Sequence, residues 1–330
     1  MSDTVNKNGK RPHADGEEAE IKEADAPFNA PSADFILRAF DNVDFRVHKV
    51  ILSVASPVFE SMFALPDSKT DTQYSKDGLP VLACPEPAAV LDPVLRFCYP
   101  TATPMLTELT ALMPLYDAID KYCMESLLKT VEAGLISAVD QDPMVAYAFG
   151  CRHHLQPVIT AAAKASLNTP VGELPFCPDL ERITAAQLYR LHEYHRACRD
   201  AASRVPTYWV GWLTVADIPL GGHEGCKFCR AEISRLDNSV PGFVYDGKSK
   251  KWTTFTPVWF CDYLNLLEKE LKSRPRGSTA MDGKILDTFM LRAAACLNVD
   301  CRRGITDLLA FSKKLAKRIE NVIDAVQPPY

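Results

Sequence analysis

The texture of apolar and polar positions changes sharply at Asp34. Before it, residues 1 to 31 are polar, acidic and proline-punctuated without periodicity, and read as a disordered tail. From Asp34, "DFILRAF" is a short apolar run, Asp41-Asn42 is a turn signal, and "VDFRVH" alternates, placing Val43, Phe45 and Val47 on one face. This predicts a strand hairpin. "KVILSVASPVFESMFALP" carries apolar residues at helical spacing (Val50, Ile51, Val54, then Val58, Phe59, Met62, Phe63), and Ser56-Pro57 divides it into two helices, with Ser56 as N-cap and Pro57 at the first helical position. "LPVLACP" predicts a third strand, "PEPAAVLDPVLRFCYP" a helix ended by Pro100, and "TELTALMPLYDAIDKYCMESLLKTVEAGLISAV" one or more helices.

Helical periodicity continues through an alanine-rich stretch, Asp142 to Asn168, broken at Gln156-Pro157, and through "ITAAQLYRLHEYHRACRDAASRV", where Leu188, Leu191 and Tyr194 form a stripe. "WFCDYLNLLEKELK" predicts an amphipathic helix with Trp259, Tyr263, Leu266 and Leu267 on its packed side, ended by Pro275-Arg276-Gly277. The last helix, from about Ile305, repeats Leu308, Phe311, Leu315, Ile319, Val322 and Val326 at three- and four-residue steps. Such a stripe serves either its own domain or a partner helix, and packing on its own domain is the commoner use.

A chain of 330 residues has ample material for about two domains. Its formal charge of -5 gives no footprint for nucleic acid, although Lys313, Lys314, Lys317 and Arg318 make one face of the last helix basic. There is no run of about 18 apolar residues for a membrane span and no apolar signal core at the start, so a cytosolic or nuclear protein is expected. Most of the eleven cysteines, Cys98 and Cys123 among them, sit in apolar segments and read as small reduced core residues.

Three groups of residues raise chemistry. "GFVYDGKS", Gly242 to Ser249, fits the phosphate-loop pattern G-x-x-x-x-G-K-[ST], but that loop must leave a buried strand and open a helix. Here "SRLDNSVP" precedes it and the aromatic, β-branched "KKWTTFTP" follows, so Phe243 to Tyr245 and Trp252 to Phe255 are expected to pair as a hairpin across Asp246-Gly247. Cys226-x-x-Cys229 has the spacing of a zinc knuckle; Cys296 and Cys301 are the candidate second pair, with His223 as a substitute ligand. A structural Zn²⁺ and plain reduced thiols both remain open, whereas a redox pair lacks its βαβ setting. His192 and His195, at i and i+3, could share a metal, but a solvated helix face is the simpler reading; His153 and His154 point about 100° apart and could not. No G-x-S-x-G, H-E-x-x-H or repeated zinc-finger spacing occurs, so no enzyme class is indicated and a DNA-reading module lacks its signature.

The order of predicted elements resembles the BTB (POZ) domain. The resemblance rests on "FRVHKVILSVASPVFESMF" (Phe45 to Phe63), "LRFCYP" (Leu95 to Pro100) and "LYDAIDKYCMESLLK" (Leu115 to Lys129), and the spelling is similar to BTB proteins abundant in mushroom-forming fungi. It implies an α+β fold with four parts. These are the tail (1–31), a BTB/POZ domain with a small three-stranded sheet and surrounding helices (32–135), a helical extension (136–206), and a mainly helical C-terminal region with a β-hairpin and the zinc candidate (207–330). Asp34 and His48 match family positions of structural role, and a buried, hydrogen-bonded histidine is expected. The resemblance further implies a non-enzymatic protein-protein interaction module that forms homodimers or docks to cullin-3 as a ubiquitin-ligase substrate adaptor. Many dimeric members exchange a helix and strand that precede the core, a pattern that residues 1 to 31 lack. Cullin docking would fall around Cys84 to Pro87, Pro100 to Pro104 and Asp142 to Leu155. A nuclear, transcription-associated regulator with a structural zinc site is the alternative.

Overall fold

The computed structural model describes residues 20–64, 74–101, 104–208, 212–219, 230–235, 244–246, 250–298, 302 and 304–330. Chain contacts divide it into two compact units, residues 1–134 and 135–330.

In the first unit, the predicted hairpin is β2 (Phe35–Arg38) and β3 (Val43–Val47), paired antiparallel with Phe35 opposite Val47 and Arg38 opposite Asp44. Asn42, in the left-handed region at φ 60°, makes the turn. β5 (Leu79–Ala83), the predicted third strand, joins β2 in parallel. Two very short strands extend this three-stranded centre: β1 (Lys22–Glu23) lies along β3 and β4 (Tyr74–Lys76) along β5, giving the order β1-β3-β2-β5-β4. The helices are α1 (Lys49–Ala55), α2 (Pro57–Phe63), α3 (Ala88–Cys98), α4 (Leu109–Lys121) and α5 (Glu125–Ala138).

The disordered tail expected over residues 1–31 ends earlier. Phe28 is fully buried, with its ring 5.7 Å from Phe45 and edge-on to Tyr99 at 5.3 Å, and its carbonyl accepts from Arg46 N. One aromatic among polar neighbours leaves no periodic signal, yet burying it stabilises by roughly 2 to 3 kcal/mol. Asp44 is a second surprise, an acid buried within β3 of the sheet. It receives Arg38 Nε at 2.6 Å and Lys76 Nζ at 2.9 Å. Burial alone would raise its carboxyl pKa, but these two cations hold it below the usual carboxylate range.

The second unit is mainly helical: α6 (Pro143–His153), α7 (Gln156–Ser166), α8 (Ala185–Arg204), α9 (Val258–Leu271), α10 (Gly277–Ala280), α11 (Gly283–Ala294) and α12 (Gly304–Asp324). His154, at φ 57°, closes α6, and α7 begins at Gln156 with Pro157 in its first turn. Thr184 and Gln187 form a reciprocal capping box on α8. The hairpin over "GFVYDGKS" is present as β7 (Val244–Asp246) and β8 (Lys251–Pro257), with Tyr245 opposite Trp252. A strand follows the motif where a phosphate loop needs a helix. β6 (Arg230–Arg235), a polar segment that the pattern did not single out, joins the other side of β8.

The stripe of α12 is turned into its own unit: Leu308, Phe311, Leu315, Ile319 and Ile323 are buried, and Phe311 meets Phe260 edge-on at 4.9 Å. Ile323 takes the place expected for Val322. Gly277 is where α10 presses closest on α12, since a Cβ there would stand 2.6 Å from the Ala316 carbonyl oxygen. Glu320 ties the same junction, accepting from Gly277 N at 2.8 Å and Arg276 Nε at 3.0 Å. Gly277→Ala is therefore expected to destabilise by about 1 to 3 kcal/mol in urea unfolding. Gly283→Ala, where nothing lies within 4 Å of the added carbon, should stay within about 0.5 kcal/mol of wild type.

Candidate interaction surface

The segment from Ser32 to Phe63 builds an anchored helix pair with one face left outward. Asp34 accepts from Lys49 N at 2.8 Å, satisfying an amide at the start of α1 that the helix itself cannot. His48 is held twice by Tyr99: its backbone N donates to the phenol oxygen at 2.7 Å, and Nδ1 lies 3.3 Å from the same oxygen. Its Nε2 lies 3.1 Å from Ser32 Oγ. The hydrogen bonding expected of His48 is present, but the ring is half-buried, because Ser32 is exposed and leaves that side open. Lys49 places its ammonium over the rings of Phe35 and Phe63.

Ser56 does more than cap α2. Its Oγ accepts from Phe59 N at 3.2 Å and donates to the Tyr122 carbonyl at 2.6 Å, and it is wholly buried. The Phe59 ring stacks on Tyr122 at 4.7 Å. Phe59 is thus core, while Met62 and Phe63 are only half-buried.

The apolar spacing of α1 proves to mark its outer side. Leu52 is the buried residue of this helix, whereas Val50 is 67% and Val54 86% exposed, with Val58 exposed at the start of α2. Val50 and Val54 are one turn apart, so they share a face. Two β-branched side chains this open, on a helix clamped at both ends, make a rigid apolar surface.

The other predicted candidates lie elsewhere in the chain. Cys226, Cys229, Cys301 and His223 lie outside the described residues, and Cys296 follows the end of α11. Among the described residues, no group of three or more His, Cys, Asp or Glu is placed to hold a metal. Of the described cysteines, Cys84, Cys151, Cys177 and Cys198 are buried as expected, and burial pushes the Cys84 and Cys198 thiols up to about 11, which keeps them unreactive. Cys123 departs from expectation: it is exposed, in the left-handed turn that separates α4 from α5. His192 is exposed, whereas His195 is buried with its Nε2 turned to Ser166 at 2.8 Å, so the two rings are not set to share a metal. Lys314 of the basic face on α12 pairs with Asp217 at 2.7 Å. No described helix is long and apolar enough to cross a membrane.

Comparison with known families agrees with this geometry. Residues 28–138 match the BTB/POZ domain model, starting at the buried Phe28. No curated protein matches the chain. The chain carries a BTB/POZ domain, a non-enzymatic protein-protein interaction module.

His195 supplies a titration test for the second unit. The Ser166 hydroxyl donates to Ala163 O at 2.7 Å, so its oxygen accepts Nε2–H of His195 at 2.8 Å. Burial, helped by the charge of His192, lowers this imidazole from 6.5 to about 4. The native state keeps the ring neutral, so its contribution is complete above 6.5 and is lost as pH falls towards 4, where the unfolded chain binds the proton first. His195→Gln keeps an N–H donor without the titration. Urea unfolding at pH 7 and pH 4.5 should show wild type losing roughly 2 kcal/mol more than His195→Gln across that interval.

Proposed function

We propose that this BTB domain associates with a second copy of itself through the outer face of α1, and that the assembled chain acts as a scaffold for protein partners. The observation that carries the reading is the exposed Val50 and Val54 on the outer face of an otherwise well-anchored α1. A two-fold contact sets the same patch on both protomers, and apolar side chains are self-complementary in a way that a single-signed charged face is not. The exchanged-strand form is not required, because β1 pairs with β3 of its own chain. Sedimentation of the intact protein is expected to show a dimer at about 20 μM that Val54→Asp converts to monomer by at least tenfold weaker association. A wild-type protein that remains monomeric at that concentration sinks the proposal.

Docking to cullin-3 as a substrate adaptor is the second reading, and it stays open to the same preparation in a binding assay. The surfaces expected for it are partly engaged already. Cys84 is buried, Glu86 accepts from Lys121 and Tyr122, and α6 buries Met144 and Ala146 through Cys151. These contacts favour self-association as the primary role. The transcription-associated alternative would require a nuclear chain with its zinc site filled.

We also propose a structural zinc bound by Cys226, Cys229, Cys296 and Cys301, with His223 as substitute. What supports it is position: β6 begins at the residue after Cys229, with Arg230 opposite Pro257, and Cys296 stands at a helix end. A metal there would fasten the first rung of this small sheet. Reduced, purified protein should contain close to one zinc per chain, and less than about 0.2 would count against the site.

A further inference from the structure

The second unit holds a pocket of about 280 Å³ that self-association does not use. α8 contributes His192, His195, Arg196 and Arg199, which step by three, one and three residues and so occupy one face of the helix. Lys272 and Ser273, at the end of α9, stand beside them, and the turn at Val171-Gly172 closes the rim. Of the ten lining residues three, Arg196, Arg199 and Lys272, are cations, two are histidines of which the buried His195 is neutral, and none is a carboxylate. In a chain of net charge -5 this concentration of positive charge is local to the pocket.

Like charges one turn apart repel, so a concave wall carrying Arg196, Arg199 and Lys272 favours an anion. The carboxylates that pair with these cations do not line the pocket. Arg196 meets Glu193, Arg199 meets Asp200 at 3.2 Å, and Lys272 meets Glu268 at 2.9 Å. All three pairs are exposed, and such pairs contribute little net stability, so exchanging one for a ligand costs little. The His192 ring and the Ser273 hydroxyl have no hydrogen-bond partner among the described residues and add donors at the wall. At Gly172 nothing lies within 4 Å of where a Cβ would stand, which leaves room at the mouth.

We propose that this pocket binds the dianion of a phosphate monoester. Two planar guanidinium forks suit the oxygen pairs along the edges of a tetrahedral phosphate, each able to give two parallel N–H bonds, and the ammonium of Lys272 adds a point charge. The volume is at the small end of ligand sites, suited to a phosphoryl group with a few carbon atoms. The floor is His195, whose Nε2–H is committed to Ser166.

Calorimetric titration of the intact protein with inorganic phosphate, at constant ionic strength, is expected to give one saturable site with a Kd below about 1 mM. Arg196→Ala with Arg199→Ala should weaken it by at least about tenfold, and both side chains are exposed enough for the fold to survive, which thermal melting checks. Lys313→Ala with Lys317→Ala on α12 should leave binding unchanged. The imidazole resonances of His192 and His195 should move with the same midpoint as the heat. Glycerol phosphate and a phosphoserine peptide then assign the source of the phosphoryl group: tighter binding of the first indicates a free metabolite, tighter binding of the second a modified partner protein. No saturable heat up to about 20 mM phosphate, or an equal loss in the α12 variant, overturns the proposal.

Discussion

Ser56 is the interaction on which the presentation of the BTB surface depends. One hydroxyl, buried completely, starts α2 by accepting from Phe59 N and fastens it to the end of α4 by donating to the Tyr122 carbonyl. The stacked rings of Phe59 and Tyr122 close around it. A buried hydroxyl without partners would cost a few kcal/mol, so this position tolerates only a geometry that satisfies both bonds. α1 ends at the same residue and is pinned at its start by Asp34 and Tyr99. With both ends and Leu52 committed, the remaining side of α1 has nowhere to turn but outward, and Val50 and Val54 are what it shows.

Much of the first unit was legible because its signals are local. Alternation over Val43 to Val47, a turn at Asp41-Asn42 and a Ser-Pro helix start each have one simple solution, and all appear as expected. What failed to show were features with no period: strands of two or three residues, a lone Phe28 in a polar segment, and a buried Asp44 whose partners lie on β2 and β4. The α1 pattern was legible as a helix but ambiguous as to side. Apolar spacing identifies a face that avoids water, and a protein can satisfy that face with its own core or with another chain.

The second unit repeats the lesson with the opposite result. The stripe of α12 was expected to pack on its own domain, and it is consumed internally by α8, α10 and α11, with Phe260 of α9 against Phe311. β6, rich in charge, joined a sheet that its composition did not advertise. The candidate site on α8 was visible as two histidines, but its character was not, because their separation into one exposed and one buried ring depends on Ser166, a residue of another helix. Arg196 and Arg199 fall on the same face at helical spacing, and the spacing alone could not say that Lys272 would join them.

The central claim is that the outer face of α1 is covered by a second copy of the same chain. Hydrogen exchange of the intact protein at two concentrations separated by about a hundredfold tests it directly, because protection that comes from association follows mass action. Amides of residues 49–55 are expected to exchange more slowly at the higher concentration, while α8 and α12 stay unchanged. Equal exchange of α1 at both concentrations, or new protection confined to the second unit, would contradict the account.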